Sequence, residues 1–264
     1  MRTGNPTLNA DTFQRFDRQS GTNLMTVSGT VNKTGILLLL LVISSSMTWN
    51  MIAAGSVSPM VCTWGGLIGG IVLALITVFK KTWAPVTAPL YAIVEGLFVG
   101  GISIVYATMF GPQGIAGTGS SIVTQAVLLT FGVLFSMLAA YRFGIIRATA
   151  KFRTGIFAAT GAIMLFYLVA IVLGMFGVNI PHLHQATPLG IGISVFIIII
   201  AALNLILDFD LIETGANQGA PKYMEWFGAF ALIVTLVWLY IEILRLLAML
   251  ASKSCLLYTS PSPR

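Results

Sequence analysis

Seven apolar blocks, each about the 20 residues that one helical crossing of a bilayer requires, run through this 264-residue chain and decide what it can fold into. They are Gly35–Ala54, Val61–Phe79, Val86–Phe110, Ile122–Tyr141, Gly155–Gly177, Pro188–Leu207 and Trp226–Leu250. Hydrophobic residues make up 57% of the chain and charged residues only 8%, against about 25% charge in an ordinary soluble domain. A water-soluble fold could not hide that much apolar surface. The blocks are continuous rather than alternating, which excludes an outer-membrane barrel, and in lipid each backbone amide has to find its partner within its own segment. The expected fold class is therefore an all-α membrane protein with seven transmembrane helices.

The domain organisation follows from the blocks. Residues 1–34 are polar, carry Arg2, Arg15, Arg18 and Lys33, and read as a cytoplasmic tail. Residues 35–250 form the seven-helix transmembrane domain, and residues 251–264 are the end of the chain. Within that end, residues 255–264 read as the in-frame translation of a sequencing adapter and are set aside. Cys62 is then the one remaining cysteine, which gives neither a disulfide framework nor a metal site.

Orientation rests on the basic residues, because Lys and Arg in short loops stay on the cytoplasmic side. The tail, Lys80 and Lys81, the group Arg142, Arg147, Lys151 and Arg153, and Lys222 all fall on one side. The alternate loops Gly55–Pro59, Gly111–Ser121 and Val178–Thr187 contain no Lys or Arg. This predicts a multi-pass inner-membrane protein with a cytoplasmic N-terminus. The formal charge of +6 is dispersed over these loops, so it orients the chain and argues against a nucleic-acid partner. Gly65, Gly66, Gly69 and Gly70 have the four-residue spacing that lets helix backbones approach. No internal repeat suggests an inverted-repeat transporter.

Acids within hydrocarbon cost several kcal/mol unless paired, hydrated or protonated, so they are the first candidates for function. Glu95 lies near the middle of the third block and is expected to face the bundle, neutral or beside water. Asp208, Asp210 and Glu213 stand where the sixth block ends. Asp208 and Asp210 should point to nearly opposite faces, while Asp210 and Glu213 share one. Three acids at a helix C-terminus oppose the macrodipole, which is explained if they gather cations. In the seventh block Glu225 sits at the start and Glu242 about 17 residues later, three before Arg245, a spacing suited to an ion pair on one helix. His182 and His184 share a short loop but lack the third ligand of a stable metal site. No hydrolase, phosphate-binding or dinucleotide motif occurs, so neither an enzyme nor a cofactor is expected.

Three runs together resemble the Bax inhibitor family, in its YccA-like branch: Tyr91 to Gly100 with Glu95-Gly96 at its centre, Leu207 to Glu213, and Trp226-Phe-Gly228 through Arg245-Leu-Leu. The resemblance covers roughly residues 31–250. It implies six helices around a central seventh, and activity as a pH-sensitive calcium leak channel. Its pore would be closed by one aspartate on helix six and one on helix seven. Asp208, four residues before Ile212, matches the first. At the position of the second, seven residues before Arg245, this chain has Trp238, and Glu242 or Glu225 would have to substitute. The implied partners are membrane lipid, calcium ions or protons, and possible contact with another membrane protein. The alternative function is a non-conducting regulator that binds a membrane protease or another partner.

Overall fold

The computed structural model describes residues 24–110, 118–146, 148–176 and 187–258. Seven long helices account for nearly all of them: α1 Val27–Ala53, α2 Pro59–Phe79, α3 Ala84–Phe110, α4 Thr118–Arg142, α5 Ala150–Met175, α6 Pro188–Asn217 and α7 Met224–Tyr258. Each is long and apolar enough to cross a membrane, so the chain is a multi-pass membrane protein. Much of Arg2, Arg15 and Arg18's tail, Arg147, the loop holding His182 and His184, and residues 259–264 lie outside the described residues.

Helix starts follow local chemistry. Thr26, Ser58, Thr149 and Thr187 each cap a helix by accepting a backbone N–H with the side-chain oxygen, which satisfies one of the donors that a helix start leaves free. Pro59 and Pro188 follow two of these caps in the first turn, where a missing N–H costs nothing. The connections are short, and they alternate between two ends of the bundle. Lys33, Lys80, Lys81, Arg142, Arg153 and Lys222 all mark the end at which α1 begins, termed here the basic end.

The helix α7 is the most enclosed, with 72% of its apolar window buried against 12% for α5 and 17% for α2. It packs on α1, α3, α4 and α6, whereas α2 lies against α3 and α5 against α6. The seventh helix is thus central, but the surround is uneven, with α2 and α5 held at the periphery. Small residues permit the closest approaches. A Cβ on Gly66 would stand 2.4 Å from the Phe98 nitrogen, and one on Gly100 would stand 2.6 Å from the Ser45 carbonyl oxygen. These glycines bring α2 and α1 onto α3, as the four-residue spacing of small residues allows. Gly65, by contrast, faces open space.

Most helices extend a few residues beyond the expected blocks, α7 as far as Tyr258, and two of these differences bear on the acids. α1 starts at Val27 rather than Gly35, because Thr26 caps it and Lys33 finds a carboxylate partner in Glu225. α6 runs on from Leu207 to Asn217, since no proline interrupts it and the chain turns only at Gly219, whose φ is +69°. Asp208 is therefore not at a helix end. It lies nine residues before Asn217, roughly 13 Å inside the helix at 1.5 Å per residue. The macrodipole argument made for three terminal acids holds only for Glu213.

Candidate functional site

The extension of α6 sends its three acids to three different helices. Asp208 turns toward the central helix, where the Thr235 hydroxyl of α7 donates to its Oδ2 at 2.7 Å. Asp210 pairs with Arg153 in the first turn of α5. Glu213 accepts a hydrogen bond of 2.5 Å from the Tyr141 hydroxyl at the end of α4. Asp208 and Asp210 diverge as their two-residue separation requires. Asp210 and Glu213 both line one cleft of about 940 Å³ at the basic end, together with Thr30, Thr34, Tyr141 and Arg142. Asp208 does not line it.

A second cavity of about 460 Å³ lies farther from the basic end, also open between α1 and α4, bordered by Ser45, Asn50, Ser103, Thr130 and Tyr240 among apolar neighbours. Leu38, Phe131 and Leu236 border both spaces. They form an apolar partition between the cleft and the second cavity, contributed by α1, α4 and α7. Beside the second cavity Ser103 of α3 and Tyr240 of α7 share a hydrogen bond of 2.7 Å.

The remaining acids line neither of these spaces. Glu95 is 8% exposed and packs over Gly70, where a Cβ would come within 2.4 Å of its Oε2. Tyr91, one turn earlier, is its hydrogen-bond partner. It faces the interior, between α2 and α3. Toward the opposite end Glu242 is 3% exposed and its Oε2 lies 3.0 Å from the Arg245 Nη2. The Tyr167 hydroxyl of α5 donates to the Glu242 Oε1 at 2.5 Å and accepts from the Arg245 Nη1 at 2.7 Å. Ser194 of α6 accepts from the Arg245 Nε and Nη2 at 3.3 and 3.1 Å. The ion pair expected from the 242/245 spacing is thus one edge of a three-helix network.

Glu225 has a different role again. Its side chain is fully buried at the basic end of α7, pairs with Lys33 and with Lys222, and accepts from the Thr26 nitrogen and hydroxyl at 2.9 Å each. It joins the start of α1 to the start of α7. Neither Glu225 nor Glu242 reaches Asp208, whose partner on α7 is Thr235 and not an acid. Trp238, at the position where the family resemblance called for an acid, packs among apolar residues of both core clusters. Among the described residues no three acid, histidine or cysteine side chains converge as a metal site would need.

Thr235, Tyr141, Tyr167 and Arg153 complete these contacts and were not singled out as site residues from the sequence. A hydroxyl or a tyrosine inside an apolar block carries no distinguishing pattern, and only Arg153 had a signal, its charge at a helix start. A family model described as Bax inhibitor 1 like matches residues 5–252 of the chain. No curated protein and no solved structure matches it.

Proposed function

The chain belongs to the Bax inhibitor 1 like family, and we propose that it is a proton-modulated cation leak channel, held closed, that passes calcium across a bacterial inner membrane. In this reading it is a member of the YccA-like branch, its basic end faces the cytoplasm, and it is not an enzyme. The observation that carries the proposal is the Asp208 carboxylate, set inside the bundle against the central helix and held there by Thr235. An acid at such a depth is costly to keep unless it serves an ion or proton path.

The surroundings support a closed passage. The cleft at the basic end offers Glu213 to an arriving cation, while Asp210 beside it is paired with Arg153, and an acid in a low-dielectric recess attracts cations. Beyond the cleft, Leu38, Phe131 and Leu236 separate it from the second cavity, and apolar constrictions of this kind gate by excluding water. Ionised Asp208 is an acceptor only, whereas its protonated form also carries a donor. Proton uptake would therefore rearrange its contact with Thr235, and with it the packing of α6 on α7 next to Leu236.

Calcium flux from loaded liposomes tests this. The wild-type protein should leak more at one end of the range from about pH 6 to about pH 8 than at the other, and Asp208→Asn should flatten that dependence. Asp210→Asn, whose side chain points to Arg153, should retain most of it. Full pH dependence in Asp208→Asn, or equal loss in Asp210→Asn, moves the gate elsewhere. Absence of any flux from correctly folded protein would favour the non-conducting regulator.

A further inference from the structure

The cleft at the basic end is open sideways. α1 and α4 both pack on α3 and α7 but make little direct contact with each other, and the cleft runs along the seam between them, with Val31 and Leu38 on one wall and Leu134 and Leu138 on the other. In a seven-helix membrane protein such a seam faces acyl chains. We infer that this cleft is a binding site for one aminophospholipid, with an acyl chain along the seam and the phosphate and primary ammonium of its headgroup between Arg142 and Glu213.

Depth and charge select this occupant. From Val27 to Leu38 the cleft wall spans eleven residues of α1, roughly 16 Å. That is close to half of a hydrocarbon core about 30 Å thick, so it accommodates the chain of a lipid from one leaflet. Its floor is the partition of Leu38, Phe131 and Leu236. Gly35 lines the same wall, and a Cβ there would meet nothing within 4 Å. At the mouth stand both signs of charge. Among the described residues the exposed Arg142 makes no ion pair, and Glu213 accepts only from a neutral phenol, Tyr141. Asp210 is already neutralised by Arg153.

A guanidinium recognises a phosphate through paired N–H donors. A primary ammonium has three N–H donors to offer a carboxylate, and a quaternary ammonium has none. Phosphatidylethanolamine offers Glu213 a charged donor, phosphatidylglycerol offers only neutral hydroxyls, and phosphatidylcholine offers no donor, so the preference should fall in that order. This inference does not depend on ion conduction, and if the protein conducts, the bound lipid occupies the cleft in the closed state and leaves Glu213 before a cation reaches it.

Native mass spectrometry of the purified full chain, titrated with these three lipids carrying the same acyl chains, provides the test. One phosphatidylethanolamine per protein should be retained, about tenfold tighter than either of the others, as expected for one additional charge-assisted contact. Arg142→Ala should weaken all three, and Glu213→Gln should remove the preference for phosphatidylethanolamine while leaving residual binding. Gly35→Trp should fill the seam and abolish retention without lowering the melting temperature. If Gly35→Trp does not fold, the exposed Glu213→Gln substitution still decides the headgroup. Equal or tighter binding of phosphatidylglycerol, an unchanged preference in Glu213→Gln, or full retention by folded Gly35→Trp would overturn the assignment.

Discussion

The Thr235 hydroxyl lies 2.7 Å from the Asp208 Oδ2 across the α6 and α7 interface, and 3.2 Å from the Ala231 carbonyl of its own helix. A hydroxyl has one hydrogen, and the shorter contact shows the carboxylate receiving it. Thr235→Val keeps the shape and removes the donor, which should cost about 1.5 to 3 kcal/mol, as for hydrogen bonds to charged groups. Thermal unfolding in detergent measures this. Thr235→Ser should recover most of the loss, and if it behaves like Thr235→Val then packing rather than the hydroxyl matters.

The Arg245 network makes a larger prediction. Glu242 and Arg245 are both buried, and removal of one partner strands the other's charge, at about 3 to 5 kcal/mol. Arg245→Met should therefore be strongly destabilising, and Glu242→Gln combined with Arg245→Met much less so. Tyr167→Phe deletes one donated and one accepted bond and should fall between wild type and Arg245→Met. Melting temperatures of the wild type and the three variants give the ranking, and a double variant no better than Arg245→Met would show that loss of the guanidinium does not strand the Glu242 charge.

These two sites also show what a sequence conveys about such a protein. The spans were legible because apolar blocks of bilayer length have few alternatives, and the 242/245 ion pair was legible because residues three apart share a helix face. The end of α6 was not, because charge was read as the membrane boundary while the helix continues through Asp208 and Asp210 as far as Asn217. Thr235 and Tyr167 were hidden for another reason. Their partners lie 27 and 75 residues away in the chain, and only the packing of α6 and α5 near α7 brings them together.

Orientation is open to labelling in cells. With Cys62 and Cys255 replaced by serine, a cysteine at Ser56, exposed in the turn between α1 and α2, should react with an impermeant maleimide on intact spheroplasts. One at Lys222, exposed at the basic end, should react only after permeabilisation. The reverse pattern would invert the topology and put the cleft on the outer face.

The last prediction concerns the join between the first and last helices. Glu225 is fully enclosed by Thr26, Lys33 and Lys222, and it fits there only because residue 29 has no side chain: a Cβ on Gly29 would lie 2.3 Å from the Glu225 Oε1. That carboxylate cannot yield without releasing the Thr26 nitrogen and two ammonium groups. The preceding residue is held as well, by the Met25 nitrogen donating to the Ala220 carbonyl at 2.7 Å. Gly29→Ala should therefore free residues 24–33 from α7, and hydrogen exchange in that segment should rise as it does in Glu225→Ala. Because both substitutions break the same contact, the double variant should exchange little faster than either single one. Gly35→Ala is the control, since its Cβ meets nothing within 4 Å and alanine favours an exposed helix by about 1 kcal/mol over glycine. Should Gly29→Ala exchange as slowly as Gly35→Ala, the carboxylate has room to move, and Glu225 does not hold α1 in place.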